Sequence, residues 1–300
     1  MNKPLVSVCM ITYNHKAFIN QAIEGVLMQE TDFDIELIIA DDASPDQTKA
    51  IVEGYINNNS KNILISYTKH SQNIGMINNF IWALKLCKGK YIAICEGDDY
   101  WTDPLKLQRQ LEFLECNPEF VLTYHPVDVL FPDRRIEEDF GIKNIIEKSE
   151  TNIYDVATFG NFIHTPSVVF RNIIKEFPNQ FYQSPIGDFF LYMLLAEHGN
   201  FYALSNKMAV YRYGVGIHSS QDSQERAKHW IKTLSLIKEV IKDNTIKKIL
   251  ELRIQNKRLQ TLPSNLQSMQ DLNDINTAKV LIRFVPIKNL ISAIFRKIWR

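Results

Sequence analysis

Over the first 125 residues, continuous apolar runs alternate with stretches whose apolar positions recur at helical spacing. The runs at 5–11, 35–40, 63–67, 91–95 and 120–125 are short and bounded by polar residues, which predicts strands, those at 35–40 and 91–95 buried. Phe18 or Ile19, Ala22, Ile23, Val26 and Leu27 predict a first intervening helix. Ser44-Pro45-Asp46-Gln47 predicts the start of a second, with Ser44 as N-cap and Pro45 at the first helical position. Met76, Phe80, Leu84 and Cys87 share the face of a third, closed by Gly89. Thr102-Asp103-Pro104 opens a fourth, carrying Leu107, Leu111 and Leu114 and stopped by Asn117-Pro118. Strands and helices in this alternation form βαβ units, so the expected class is α/β, with a mostly parallel central sheet flanked by helices on both faces.

The second half is less regular. Residues 132–152 are charged and aperiodic, which predicts a surface excursion. Residues 162–170 are again strand-like, an apolar helix opens at Ser184-Pro185-Ile186-Gly187-Asp188 and runs through Ala196, and 201–204 and 208–211 read as short strands. Beyond Gly216, Ile231, Leu234, Ile237, Val240 and Ile241 form one helical stripe, and Ile246, Ile249, Leu250, Leu252 and Ile254 suggest another. The last stretch, 275–300, carries Lys279, Arg283, Lys288, Arg296, Lys297 and Arg300 and no acid. There Ile287, Leu290, Ile291, Ile294 and Ile298 share one face, as in a helix lying on an anionic membrane. The same stripe fits a terminal helix docked on the protein's own core, and the sequence leaves both open.

The chemistry gathers where the 91–95 run ends. Glu96-Gly97-Asp98-Asp99 places three carboxylates at the end of a buried strand, where like charges raise one another's pKa and call for a cation. A hard divalent metal with oxygen ligands is the simplest partner. In open α/β sheets ligands bind beyond the carboxyl ends of the strands. Thr12-Tyr13-Asn14, Asp41-Asp42 and Glu96 to Asp99 each follow such an end, so they are expected on one edge.

Composition narrows the partners. The chain has 300 residues, 45% hydrophobic and 23% charged, enough for one large or two modest globular domains. Its 34 basic and 34 acidic residues cancel, so bulk charge gives no argument for nucleic acid. Cys9, Cys87, Cys95 and Cys116 lack metal-ligand spacing and read as buried free thiols of a reducing compartment. The N-terminus has no long apolar h-region, and no apolar run reaches 18 residues, so the expected address is the cytoplasm.

Together these residues resemble the family 2 glycosyltransferases, inverting enzymes with the nucleotide-sugar-binding GT-A fold. The matching stretches are Val6 to Asn14, Glu36 to Ser44, Asn73-Ile74-Gly75 leading to Asn79, and Gly89 to Asp99 with its DxD-like end. The match is dense over 5–125, looser over 160–215 and absent beyond. It implies a GT-A domain over 1–215, with a nucleotide-binding half at 1–125 and an acceptor-side half at 126–215, followed by a helical C-terminal extension at 216–300. It also implies that Thr12, Tyr13, Asn14 and Asn73 line the donor nucleotide, Tyr13 beside the base, and that Asp42 accepts a hydrogen bond from a uracil-like edge. Asp99 would ligate Mn²⁺ or Mg²⁺, with Asp98 near the ribose or the metal. His218 would be a third ligand, as in some members.

Glu96 stands where most members have Asp and is placed on the acceptor side with His164. Asp188 matches the family's catalytic base, although Gly187 replaces the Glu that often precedes it, and an Asp at a helix start is also an ordinary N-cap. The processive members' Gln-x-x-Arg-Trp motif is absent, so one sugar per encounter is expected. The implied partners are a nucleotide sugar, a UDP-sugar in particular, and a saccharide or lipid-linked saccharide acceptor of a bacterial surface polysaccharide at the inner membrane face. Two other readings stay open: a non-catalytic, membrane-associated nucleotide-sugar-binding scaffold, and a nucleotidyltransferase, against which stands the lack of glycine in Thr12-Tyr13-Asn14-His15.

Overall fold

The computed structural model describes residues 4–58, 63–138, 148–216 and 222–260; His218 and the 275–300 stretch lie outside them. The predicted alternation is present as β1 (Val6–Thr12), α1 (Ile19–Leu27), β2 (Ile35–Asp41), α2 (Thr48–Asn58), β3 (Leu64–Lys69), α3 (Met76–Leu86), β4 (Tyr91–Ile94), α4 (Lys106–Cys116) and β6 (Phe120–Tyr124). A two-residue strand, β5 (Tyr100–Trp101), lies between β4 and α4. Then come β7 (Asp128–Leu130), β8 (Ile136–Glu138), β9 (Glu150–Thr151), α5 (Ile153–Phe159), a 3₁₀ turn at Thr165–Ser167 and β10 (Val169–Arg171). The described chain closes with α6 (Asn179–Tyr182), α7 (Gly187–Ala196), β11 (Asn200–Ala203), β12 (Ala209–Arg212), α8 (Ser223–Val240) and α9 (Asn244–Gln260).

The main sheet has the order β3-β2-β1-β4-β10-β6-β11-β9, and β5-β12-β7-β8 form a smaller one. Strands β1 to β4 pair in parallel, with Thr12 opposite Asp41 and Cys9 opposite Ile94. Strands β1, β2 and β4 are buried along their whole length and mostly apolar because both faces are covered, whereas the edge strand β3 is largely exposed. Val6, Val8 and Met10 of β1 point into a core shared with α1 and α4, while Cys9 and Ile11 point into a second core. That second core includes Phe80 of α3, Phe189 and Leu191 of α7, Leu234 of α8 and Leu250 of α9. The C-terminal helices are therefore packed into the body of the sheet.

The sheet is mostly parallel, as expected, and admits two antiparallel strands, β10 between β4 and β6 and β9 beside β11. Other expectations need correction. Of the strand-like 162–170 run only Val169 and Phe170 pair in the sheet, in β10: Pro166 has no N–H to give, and the chain winds into the Thr165–Ser167 turn. The 132–152 stretch is not a mere excursion, because it supplies β8 and the sheet-edge strand β9. Helix α2 begins at Thr48 rather than at Pro45. The Asp46 carboxylate takes the capping role, accepting from Thr48 N–H at 3.0 Å and Thr48 Oγ1 at 2.6 Å, while Ser44 Oγ accepts from Asn14 N–H at 2.9 Å.

Candidate active site

The parallel pairing of β2, β1 and β4 sets the three polar ends side by side. Beyond the strands the backbone stays stitched: Asp42 N–H donates to the Thr12 carbonyl at 3.0 Å and Gly97 N–H to the Ile11 carbonyl at 2.9 Å. Asn14 and Ala43, at φ of 60° and 63°, turn the chain sharply after β1 and β2. Tyr13 and Asn14 are exposed at this edge, Tyr13 to 42%, whereas Thr12 is buried. Asp42 is buried and uses both oxygens locally, accepting from Ile74 N–H at 2.7 Å and Gly75 N–H at 3.0 Å. The exposed Asn73 accepts a further bond from Gly75 N–H, so Asp42 and Asn73 hold the loop before α3 together.

The acidic turn lies tightly against β1. A Cβ on Gly97 would come within 2.7 Å of Thr12 Oγ1 and 3.0 Å of His15 Nδ1, so only glycine fits there without displacing the turn. Asp98 and Asp99 are both buried, and His15 Nε2 is 3.9 Å from Asp98 Oδ2. Asp99 Oδ1 accepts the main-chain N–H of Arg212 at 2.8 Å, while its Oδ2 is buried with no hydrogen-bond partner among the described residues. Burial, and then the charges of Asp98 and Glu96, push the Asp99 carboxyl well above the ordinary carboxylate range. Glu96 is raised to about 8 by burial, then by Asp98 and Asp188. Its Oε2 accepts from Thr165 Oγ1 at 3.3 Å.

That coupling ties the acidic turn to α7. Asp188, in the first turn of α7, is half-buried; its Oδ2 accepts from Asn161 Nδ2 at 2.6 Å and its Oδ1 from Phe189 N–H at 2.7 Å. His164, beside Thr165, packs its ring on Tyr211 at 4.5 Å between centroids. Glu96, Asp98, Asp99, His164 and Asp188 therefore border one region, whereas Thr12, Tyr13, Asn14, Asp42 and Asn73 line the neighbouring strand ends.

The family signature described as glycosyl transferase family 2 matches residues 7–177, more than half of the chain. The chain belongs to this family. Within family 2 it is similar to an uncharacterised Mycobacterium tuberculosis protein, at 36% identity over 226 residues, 75% of this chain and 63% of that protein. The chain thus spans less than two thirds of that relative's length. It is also similar to the UDP-Glc:α-D-GlcNAc-diphosphoundecaprenol β-1,3-glucosyltransferase of Escherichia coli, at 27% identity over 79% of this chain and 86% of that one. In fold it resembles the mannosyltransferase of Pyrobaculum calidifontis solved with GDP-Man and Mn²⁺, with a TM-score of 0.62 at 16% identity, covering 100% of this chain and 88% of the other. The architecture is the GT-A fold.

Gly187, where family 2 members often carry Glu, has a local cause here. A Cβ at 187 would lie 2.8 Å from Ile77 Cδ1 and 3.3 Å from Phe80 Cδ1, because α3 presses on the start of α7. Two residues of the site escaped sequence reasoning. One is Asn161, the partner of Asp188. The other is Arg212, 6% exposed, whose guanidinium lies over the rings of Phe18 at 4.9 Å and Tyr100 at 4.6 Å and donates to the Asp98 carbonyl and to Gln21 Oε1. The only sequence signal for Arg212 is a charge in the alternation of a short strand.

Among the described residues no three His, Cys, Asp or Glu side chains stand close enough together to enclose an ion. The donor set nevertheless suits a hard cation completed by ligand oxygens, since Mg²⁺-type ions are held by one or two carboxylates plus substrate phosphates. The buried, unpartnered Asp99 Oδ2 is the atom such an ion would satisfy. No helix among the described residues is long and apolar enough to cross a membrane.

Proposed function

We propose that the protein is an inverting glycosyltransferase that moves a single sugar from a nucleotide sugar, a UDP-sugar first of all, to a saccharide or lipid-linked saccharide acceptor. The observation that carries this reading is the short segment from Asn161 to Thr165, which bonds Asp188 at one end and Glu96 of the acidic turn at the other, beside the carboxyl ends of the parallel strands. Tyr13, exposed at that edge, offers a ring face to the base, and Thr12, Asn14, Asp42 and Asn73 form the floor beside it. Asp99, with Asp98, would hold Mn²⁺ or Mg²⁺, which when bound neutralises the charge gathering on a leaving diphosphate. Arg212 holds the Asp99 carboxylate and the Asp98 main chain in place from behind.

On the opposite side Asp188 accepts the proton of the attacking hydroxyl. Asn161 and the Phe189 N–H fix its orientation. A single displacement with the base facing the leaving group inverts the anomeric carbon. His164 and Tyr211 supply an aromatic wall on the acceptor side. The name of the Escherichia coli relative supports UDP-glucose and a GlcNAc-diphosphate lipid as first probes.

The test is a thermal-shift titration of UDP, UDP-glucose and GDP-mannose, with and without Mn²⁺, on wild type and Asp99→Ala. A ligand of the native state at about 100 times its Kd stabilises by about 2.7 kcal/mol. The expected result is stabilisation by a uridine nucleotide that needs the metal and is lost in the variant. Stabilisation by none of the three would refute the reading.

A further inference from the structure

Arg253 of α9 reaches the turn that carries the partner of Asp188. Its Nη1 donates to the Ala157 carbonyl at 2.8 Å, in the last turns of α5. Helix α5 ends at Gly160 with φ of 89°, and a Cβ there would come within 2.5 Å of Arg253 Nη2, so the guanidinium rests directly on the glycine. The next residue is Asn161, whose Nδ2 donates to Asp188 Oδ2 at 2.6 Å. The same guanidinium lies over Phe189 at 5.4 Å and over Trp230 of α8 at 5.3 Å, and Phe189 is the residue whose N–H holds Asp188 Oδ1. Arg253 therefore touches both segments that orient the Asp188 carboxylate.

The chemistry of the contact argues against mere packing. Burial pulls the Arg253 guanidinium down to about 10, and no carboxylate forms a salt bridge with it among the described residues. A methionine would fill an apolar gap without that desolvation penalty. What methionine lacks is a planar, five-donor fork that can bond a helix-end carbonyl while its cation lies over two rings.

We propose that Arg253 is a positioning residue for the reaction, setting Asn161 and Phe189 around Asp188 from the C-terminal helices, beyond the 7–177 stretch that matches the family. The inference rests on the reading of Asp188 as the base.

The test compares wild type, Arg253→Met, Arg253→Lys, Asn161→Ala and the Arg253→Met/Asn161→Ala pair in the full chain. Three quantities are read: UDP release from UDP-glucose with Mn²⁺, the Kd for UDP, and amide hydrogen exchange over 157–162. Arg253→Met is expected to speed exchange in that segment and to slow UDP release about tenfold with the UDP Kd unchanged, and Asn161→Ala to slow release equally. The pair should be no slower than Asn161→Ala alone, because both changes act through one contact. Arg253→Lys, which keeps the charge and loses the fork, should fall between, and it carries the same test if the methionine variant fails to fold. Unchanged exchange over 157–162, or a pair whose loss is the product of the two singles, would overturn the proposal. If instead exchange rises as expected while Asn161→Ala leaves UDP release intact, the positioning stands and the assignment of the base falls.

Discussion

The main-chain N–H of Arg212 donates to Asp99 Oδ1 at 2.8 Å, and the guanidinium of the same residue donates to the Asp98 carbonyl. One residue of β12 thus fixes both ends of the acidic pair, and its two contacts are separable by mutation. Arg212→Ala keeps the main-chain bond and loses the stacked guanidinium. It should lower unfolding stability by about 2 kcal/mol and weaken metal-dependent nucleotide binding about tenfold. Denaturant unfolding and calorimetric titration of UDP with Mn²⁺ check the two effects separately, and unchanged binding would remove Arg212 from the site.

Gly97→Ala tests the closeness of the turn to β1. A new methyl 2.7 Å from Thr12 Oγ1 and 2.9 Å from Thr12 Cβ must push the acidic turn outward. A folded protein whose metal-dependent nucleotide affinity drops at least tenfold is expected, the displaced carboxylates being worth about 1.4 kcal/mol or more. Wild-type affinity in this variant would mean that the turn's position is immaterial to binding.

Glu96 sets a pH dependence of its own. Its folded pKa of about 8 exceeds the ordinary 4.5, so between these values the native state holds the extra proton. Stability contributed by this group is complete below 4.5 and declines as the pH rises towards 8. Glu96→Gln should flatten that decline in metal-free protein, seen as a gain in melting temperature at the alkaline end relative to wild type. A parallel profile for the two proteins would contradict the assignment.

Lys106 acts with the opposite sign. It is fully buried, with Nζ 2.7 Å from Gln110 Oε1 and 4.3 Å from the centre of the Trp101 ring, and burial lowers its pKa from 10.5 to about 7. Between those values the unfolded chain binds more protons, so stability rises with pH across the window, by at most about 1.4 kcal/mol per pH unit. Below about 7 both states are charged and the slope vanishes. Lys106→Met should be more stable than wild type at neutral pH and should lack this slope in urea unfolding across the range.

The framework of the site was legible because β1, β2 and β4, covered on both faces, are mostly apolar, the buried Ser7 and Glu36 inside them being paired by a hydrogen bond. Their polar ends, Thr12, Asp41 and Glu96, could then be placed on one edge by the parallel pairing alone. What stayed hidden depends on long-range partners. The two-residue β5 exists only because Tyr100 and Trp101 pair with Val210 and Ala209 of β12, and Arg212 has its role only through that small sheet. Asp46 displaced Ser44 as cap because Ser44 Oγ was engaged by the Asn14 N–H across the strand ends, a competition that local patterning does not register. Likewise Asn161 carries no motif; Gly160, the left-handed residue before it, was the one available mark of a helix end aimed at Asp188.

The central claim is that the edge formed by Glu96 to Asp99 and Asp188 transfers a sugar with inversion. The most direct measurement follows UDP-glucose, Mn²⁺ and a GlcNAc-diphosphate lipid by NMR of the anomeric proton, with wild type and Asp188→Asn compared at equal UDP occupancy. The account predicts a β-linked product from the α-linked donor, and a kcat lowered about 10²- to 10⁴-fold in the variant with its UDP affinity intact. An α-linked product, or full activity in Asp188→Asn, would contradict it.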